Sequence, residues 1–80
     1  MNWVAIKTVP VHRAEFRAQT KINQDEFQAM VPYEIVYERR RGRKEMTKTR
    51  YPIFTRYVFV LMSDIKADYY SLRAAIPEIQ

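Results

Sequence analysis

The stretch Tyr51-Pro52-Ile53-Phe54-Thr55-Arg56-Tyr57-Val58-Phe59-Val60-Leu61-Met62 decides the fold. Its second half, Tyr57 to Met62, is the most apolar and strand-like part of the chain, and predicts a central strand buried on both faces. Successive side chains of a strand alternate, so Tyr57 and Phe59 point one way and Val58 and Val60 the other. One side can pack against helices. The opposite side is either covered internally as well, or presents Phe54, Tyr57 and Phe59 as an exposed aromatic patch of the kind that binds proteins.

Immediately upstream, residues 38–50 read ERRRGRKEMTKTR and hold seven basic residues against two acidic ones, which is the whole formal charge of +5. The rest of the chain is neutral. Extended runs flank this segment, Ile35-Val36-Tyr37 before it and Tyr51 to Phe54 after it, so the arms predict a hairpin with a basic tip. Clustered Arg and Lys favour polyanions and pair well with phosphate. The bland alternative is a soluble hairpin whose charges keep a sheet edge from aggregating.

Working outward, Asn2 to Val9 is β-branched and apolar and stops at Pro10, which predicts a buried strand. Val11, Ala14, Ala18 and Ile22 then recur at helical spacing, with Arg13, Arg17 and Lys21 outside the stripe. Two alanines in that stripe allow a close approach to a sheet, whereas Phe16 falls nearly opposite it. Phe27, Ala29 and Val31 alternate as a short strand. Beyond the aromatic run, Ser63 or Asp64 is suited to cap a helix whose stripe is Ile65, Tyr69, Leu72 and Ile76, closed by Pro77. The order is strand, helix, strand, hairpin, strand, helix. Residues 1–80 form one α+β domain with a mainly antiparallel β-sheet flanked by helices.

Chemistry is sparse. With no Cys there is no disulfide, thiolate nucleophile or zinc finger. The single His12, near a helix start, reads as a solvated side chain, and the carboxylates are scattered rather than paired. The only glycine, Gly42, lies in the basic run, so no glycine-rich phosphate loop exists. No catalytic residue, metal site or cofactor is expected, no run is long enough to span a membrane, and a cytoplasmic protein is the expectation.

In order and spacing the chain resembles the N-terminal (NGN) domain of the NusG transcription elongation factors, with RfaH as a specialised relative. Trp3 heads the first strand, a polar Arg-containing helix follows, and Met30-Val31-Pro32-Tyr33 is similar to the family's apolar-Pro step. The Arg-rich hairpin comes next. Tyr51 to Val60 resembles the Pro-Leu-Phe-Pro-Gly-Tyr-Val-Phe-Val signature, and Leu72 to Ile79 resembles the closing helix. The resemblance implies an NGN-like β-α-β-β-β-α fold and a factor that binds the clamp helices of the largest catalytic subunit of RNA polymerase and modulates pausing, elongation or termination. It implies Phe54, Tyr57 and Phe59, with Ile53 and Ile6, for the polymerase-binding depression. Bridging contacts would come from Asp68, Tyr69 and Tyr70. Arg39, Arg40, Arg41, Arg43 and Lys44 would lie near upstream or non-template DNA. The alternative is a non-specific nucleic-acid-binding module acting through the hairpin without polymerase.

Three departures qualify the match. Thr55-Arg56 replaces the family's Pro-Gly, and loss of Gly predicts a turn that differs or straightens. Ala74 stands where the family has Arg, with Arg73 one residue earlier. Finally, Gln80 falls where the family continues into a last strand and, typically, a KOW domain. The expectation is a minimal antitermination or processivity factor, a competitor of NusG, or a fragment of a longer protein. A monomer is favoured, with a dimer through an open sheet edge as the alternative.

Overall fold

A computed structural model describes residues 1–39, 41–42 and 44–80. The run Tyr57–Met62, strand β5, sits at the centre of a three-stranded antiparallel sheet between β1 (Asn2–Lys7) and β2 (Gln28–Met30). Its register sets Val4, Ile6 and Ala29 beside Val60, Val58 and Val60 respectively on one face, and Ala5 and Met30 beside Phe59 on the other. Strands β3 (Tyr33–Arg39) and β4 (Met46–Pro52) pair only with each other, as an antiparallel ribbon. Because that ribbon leaves the main sheet, the molecule is elongated, 51 × 22 × 19 Å. The fold is the expected α+β arrangement.

Both helices pack on the same face of the sheet. Helix α1 (Ala14–Gln24) contributes Ala18 and Ile22 to a core with Ile6, Val58, Val60 and Met62, and α2 (Ile65–Ala75) contributes Leu72, followed by Ile76. The fully buried Ala14 and Ala18 bring α1 close to the strands, as their size predicts. Val11 is exposed and lies before the helix, so the stripe begins at Ala14 rather than at Val11. The Asp64 carboxylate caps α2, its Oδ1 accepting from the Ala67 amide at 3.2 Å. Ile65, at the head of the predicted stripe, is exposed, so α2 is anchored by its second half.

The expectation that β5 is buried on both faces is corrected. Val58, Val60 and Met62 are fully buried, but Tyr57 is 39% exposed and no helix covers its side of the sheet. A run apolar at every position satisfied the pattern of a doubly covered strand without being one.

After α2 no further strand forms among the described residues, yet the chain returns to the outer edge of β1. Ile79 bridges Thr8, the Val9 amide donates to the Glu78 carbonyl at 2.9 Å, and the Gln80 amide donates to the Lys7 carbonyl at 3.0 Å. The Lys21 ammonium grips both Glu78 carboxylate oxygens, at 2.6 and 2.8 Å. That hydrogen bond outweighs the burial of Glu78 and holds its carboxyl below the usual range. A depressed folded-state pKa stabilises the protein above the unfolded value and stops doing so as pH falls through the folded value. Lys21→Met should therefore cost about 1 kcal/mol at neutral pH, discounted because Lys21 is partly solvated. Urea titrations of both proteins should converge as pH drops below the carboxylate range.

Beside this junction lies a buried polar group with no counterpart. Thr8 is fully buried, and its Oγ1 has no hydrogen-bond partner. An unpaired buried hydroxyl costs more than a methyl of the same shape. Thr8→Val should raise the unfolding free energy by about 1 kcal/mol, read from the urea midpoint.

Candidate functional site

Register fixes what the uncovered face of the sheet presents. Trp3, Ala5 and Lys7 of β1 stand opposite Leu61, Phe59 and Tyr57 of β5, and Met30 of β2 stands opposite Phe59 from the other side. Lys7 is the one charged side chain among these positions. Trp3 and Met30 are each 47% exposed and Phe54 is 53% exposed. Phe54 meets Phe59 edge to face, with ring centroids 5.7 Å apart, so the loop before β5 extends the patch. A contiguous apolar, aromatic surface on a small domain is a binding feature by its cost to solubility.

The structure therefore gathers Phe54, Tyr57 and Phe59 on one open face. Ile53, 56% exposed, lies in the adjoining turn, where its amide donates to the Pro32 carbonyl at 2.9 Å. Ile6 does not join them. It is 2% exposed and points into the core beside Val58, because its position in β1 has the opposite parity to Trp3. Trp3, Met30 and Leu61 share the open face and are not among the residues the sequence pointed to. Parity counted from Trp3, once β1 is aligned with β5, is the signal that finds them.

Of the α2 residues, Asp68 borders the Leu61 end of the open face and Tyr69 turns to the core. Asp68 is half-buried, accepts from the Asp64 amide at 3.3 Å, and lines a small concavity with Leu61 and Gln28 at one end of the sheet. Tyr69 packs on the core, and its hydroxyl donates to the Gln80 carbonyl at 2.9 Å. Tyr70 is 58% exposed, with its ring edge-on to Tyr69.

The turn into β5 answers the Thr55-Arg56 departure. It does not straighten: Arg56 itself takes the left-handed conformation, φ 68°. A non-glycine residue there costs of order 1 kcal/mol and persists only where the surroundings hold it. Here the Arg56 amide donates to the buried Glu15 carboxylate at 3.1 Å, and the Arg56 carbonyl accepts from the Thr8 amide at 2.7 Å. Its guanidinium reaches Gln80 Oε1 at 2.7 Å. The arginine is thus turned toward the chain's C-terminal residues and held there, and the Phe54–Tyr57 turn is fixed by Glu15 of α1 and by Thr8, which follows β1.

The ribbon sorts its side chains by face. Pairing places Tyr33, Ile35, Tyr37 and Arg39 on one face with Pro52, Arg50, Lys48 and Met46. The other face holds Glu34, Val36 and Glu38 with Tyr51, Thr49 and Thr47. The Tyr51 hydroxyl donates to Glu38 at 2.9 Å, and that bond, with the neighbouring negative charge, raises the phenol above its ordinary pKa. At the ribbon's root Phe16, which the helical stripe left unplaced, lies under the guanidinium of Arg13 at 4.6 Å and near that of Arg50 at 5.5 Å. Tyr33 meets Phe16 edge-on at 6.5 Å. Arg39, Arg41 and Lys44 are exposed toward the tip. Arg40 and Arg43 lie outside the described residues. Among the described residues, no cluster of three or more His, Cys, Asp or Glu could hold a metal ion.

These features define a class: a small α+β domain with one sheet face sealed by two helices, an opposite face left apolar and aromatic, and a charged β-ribbon at its side. A family model described as Transcription termination factor nusG matches residues 1–79. The chain belongs to the NusG family, whose members are factors of transcription elongation and termination. A comparison with curated proteins finds no match.

Proposed function

We propose that the domain binds the clamp helices of the largest catalytic subunit of RNA polymerase through the open sheet face, and modulates pausing or termination by favouring one clamp conformation. A bound factor can shift such an equilibrium only through different affinities for the two states, so no catalysis by the domain itself is required. The observation that carries the reading is the uncovered patch of Trp3, Phe54, Tyr57 and Phe59 on a domain of this family. In this reading the hairpin faces upstream or non-template DNA, the α2 start offers a second polymerase contact, and the protein works as a cytoplasmic monomer.

The test is co-purification with bacterial RNA polymerase from purified components. Wild type should be retained. A variant with Arg39, Arg41 and Lys44 changed to Ala should be retained as well, because the apolar face does the holding. The rival reading, a nucleic-acid module working without polymerase, draws on the basic tip. It predicts no retention of wild type and tight binding to naked nucleic acid that vanishes in the same variant.

A further inference from the structure

Three features that work against stability meet at the base of the Phe54–Tyr57 turn. Arg56 is held in the left-handed conformation, φ 68°. Glu15, in the first turn of α1, is 7% exposed. Among the described residues the one ion pair is Lys21–Glu78, so this buried carboxylate has no cation within salt-bridge distance there. Thr8, whose amide donates to the Arg56 carbonyl at 2.7 Å, carries the buried hydroxyl without a partner. A junction selected for stability alone would bury apolar groups and place glycine in the turn. Backbone strain of this kind persists where function needs the chain held in one shape.

The shape held is the presentation of the aromatic pair. Phe54 lies two residues before Arg56 and Tyr57 one after it, so rotation about the Arg56 φ bond swings one ring relative to the other. Packing does not fix the turn. Phe54 and Thr55 are exposed, and Thr55 and Arg56 border a cavity of about 450 Å³ walled by Pro10, Val11, Glu15 and Pro52. Within the turn the Tyr57 amide reaches the Phe54 carbonyl only at 3.4 Å, a long bond. The restraint comes from outside. The guanidinium donates to the Thr8 carbonyl at 3.4 Å and to Gln80 Oε1 at 2.7 Å, and the Arg56 amide donates to Glu15 Oε2 at 3.1 Å. The Glu15 bond is the one that engages the nitrogen of the φ bond itself, and a charged acceptor strengthens it.

We infer that Glu15 is a positioning residue for the polymerase-binding face: acting from α1 beneath the surface, its buried carboxylate holds Arg56 left-handed and so sets the angle at which Phe54 and Tyr57 are offered together. The inference rests on the proposed function for what the face binds. The positioning itself is readable on the free domain, so the two can fail separately.

The experiment compares Glu15→Met, Glu15→Gln, Arg56→Gly and the double variant Glu15→Met/Arg56→Gly with wild type. It reads the urea midpoint, amide hydrogen exchange of the free domain, and Kd for purified bacterial RNA polymerase. Methionine keeps the volume of Glu15 and removes the buried charge, so Glu15→Met should be as stable as wild type or more so. It should nevertheless speed exchange at the Arg56 amide about tenfold, with Val58 and Val60 unchanged, and weaken polymerase binding about tenfold. Glu15→Gln keeps an acceptor oxygen and should lose less than about threefold in either reading. Arg56→Gly adopts the left-handed conformation without strain, and adding Glu15→Met to it should weaken binding by less than about threefold. A merely structural Glu15 would give a Glu15→Met variant that is unfolded or less stable, with exchange rising throughout β5 and the same loss of affinity in both backgrounds. Any of these overturns the inference, as does a folded Glu15→Met variant with wild-type exchange and affinity. Should wild type fail to bind polymerase, the proposed function falls, and exchange at the Arg56 amide alone decides whether Glu15 positions the turn.

Discussion

Phe54→Ala combined with Tyr57→Ala should abolish retention on RNA polymerase while leaving the domain folded. Both side chains are substantially exposed, at 53% and 39%, and neither belongs to the buried cluster. Truncating them therefore opens no internal cavity, and the thermal midpoint should stay within a few degrees of wild type. Binding is another matter. Aromatic anchors at the centre of an interface typically cost about 2 kcal/mol or more each when cut to Ala. Two neighbours that share a partner do not add fully, so the expected loss is roughly a hundredfold to a thousandfold in Kd. Trp3→Ala, across β1 on the same face, should weaken binding about tenfold or more, although sequence pattern alone did not point to it. A folded double variant that binds polymerase like wild type would remove the basis of the proposed function.

The contrast between Ile6 and Trp3 shows how far the sequence could be read. Family resemblance placed Ile6 beside the aromatic signature, but resemblance carries no parity. In β1 Trp3 and Ile6 are an odd number of residues apart, so a single strand cannot show both on one face. The central position of β5 was legible from its composition. Its open face was legible only as one of two alternatives, because Phe59 and Leu61 are as apolar as the valines they alternate with, and hydropathy cannot tell a core from a docking surface. Arg56 shows a different limit. The loss of glycine correctly flagged the turn, but Glu15, which steadies the left-handed arginine, is 41 residues away in the chain. Long-range tertiary contacts of that kind override local propensity and leave no local trace. The hairpin was visible as a basic segment, and only the register of β3 on β4 separated its charges into a basic aromatic face and an acidic one.

Leu72→Ala should remove a large share of the stability, because little else fastens α2 to the domain. Leu72 is the one buried residue within the helix, with Ile76 just beyond it and Tyr69 only partly covered. The head of the helix is exposed at Ile65 and at Tyr70. Cutting a fully buried Leu to Ala removes its transfer free energy and leaves a void, about 2–5 kcal/mol. A domain of this size is expected to hold about 4–12 kcal/mol in total, so a large share of its stability hangs on that side chain. Ile65→Ala, by contrast, should change the unfolding free energy by less than about 0.5 kcal/mol. The consequence extends past the helix. Tyr69 hydrogen-bonds Gln80, Gln80 accepts from Arg56, and Arg56 lies in the turn that presents Phe54 and Tyr57. Loosening α2 should therefore raise hydrogen exchange first in residues 76–80 and next at the Arg56 turn, before the β1–β5 pairing opens. A Leu72→Ala variant as stable as wild type would mean that α2 is not docked through its second half. Exchange that rises uniformly would show that the Arg56 turn is held independently of α2.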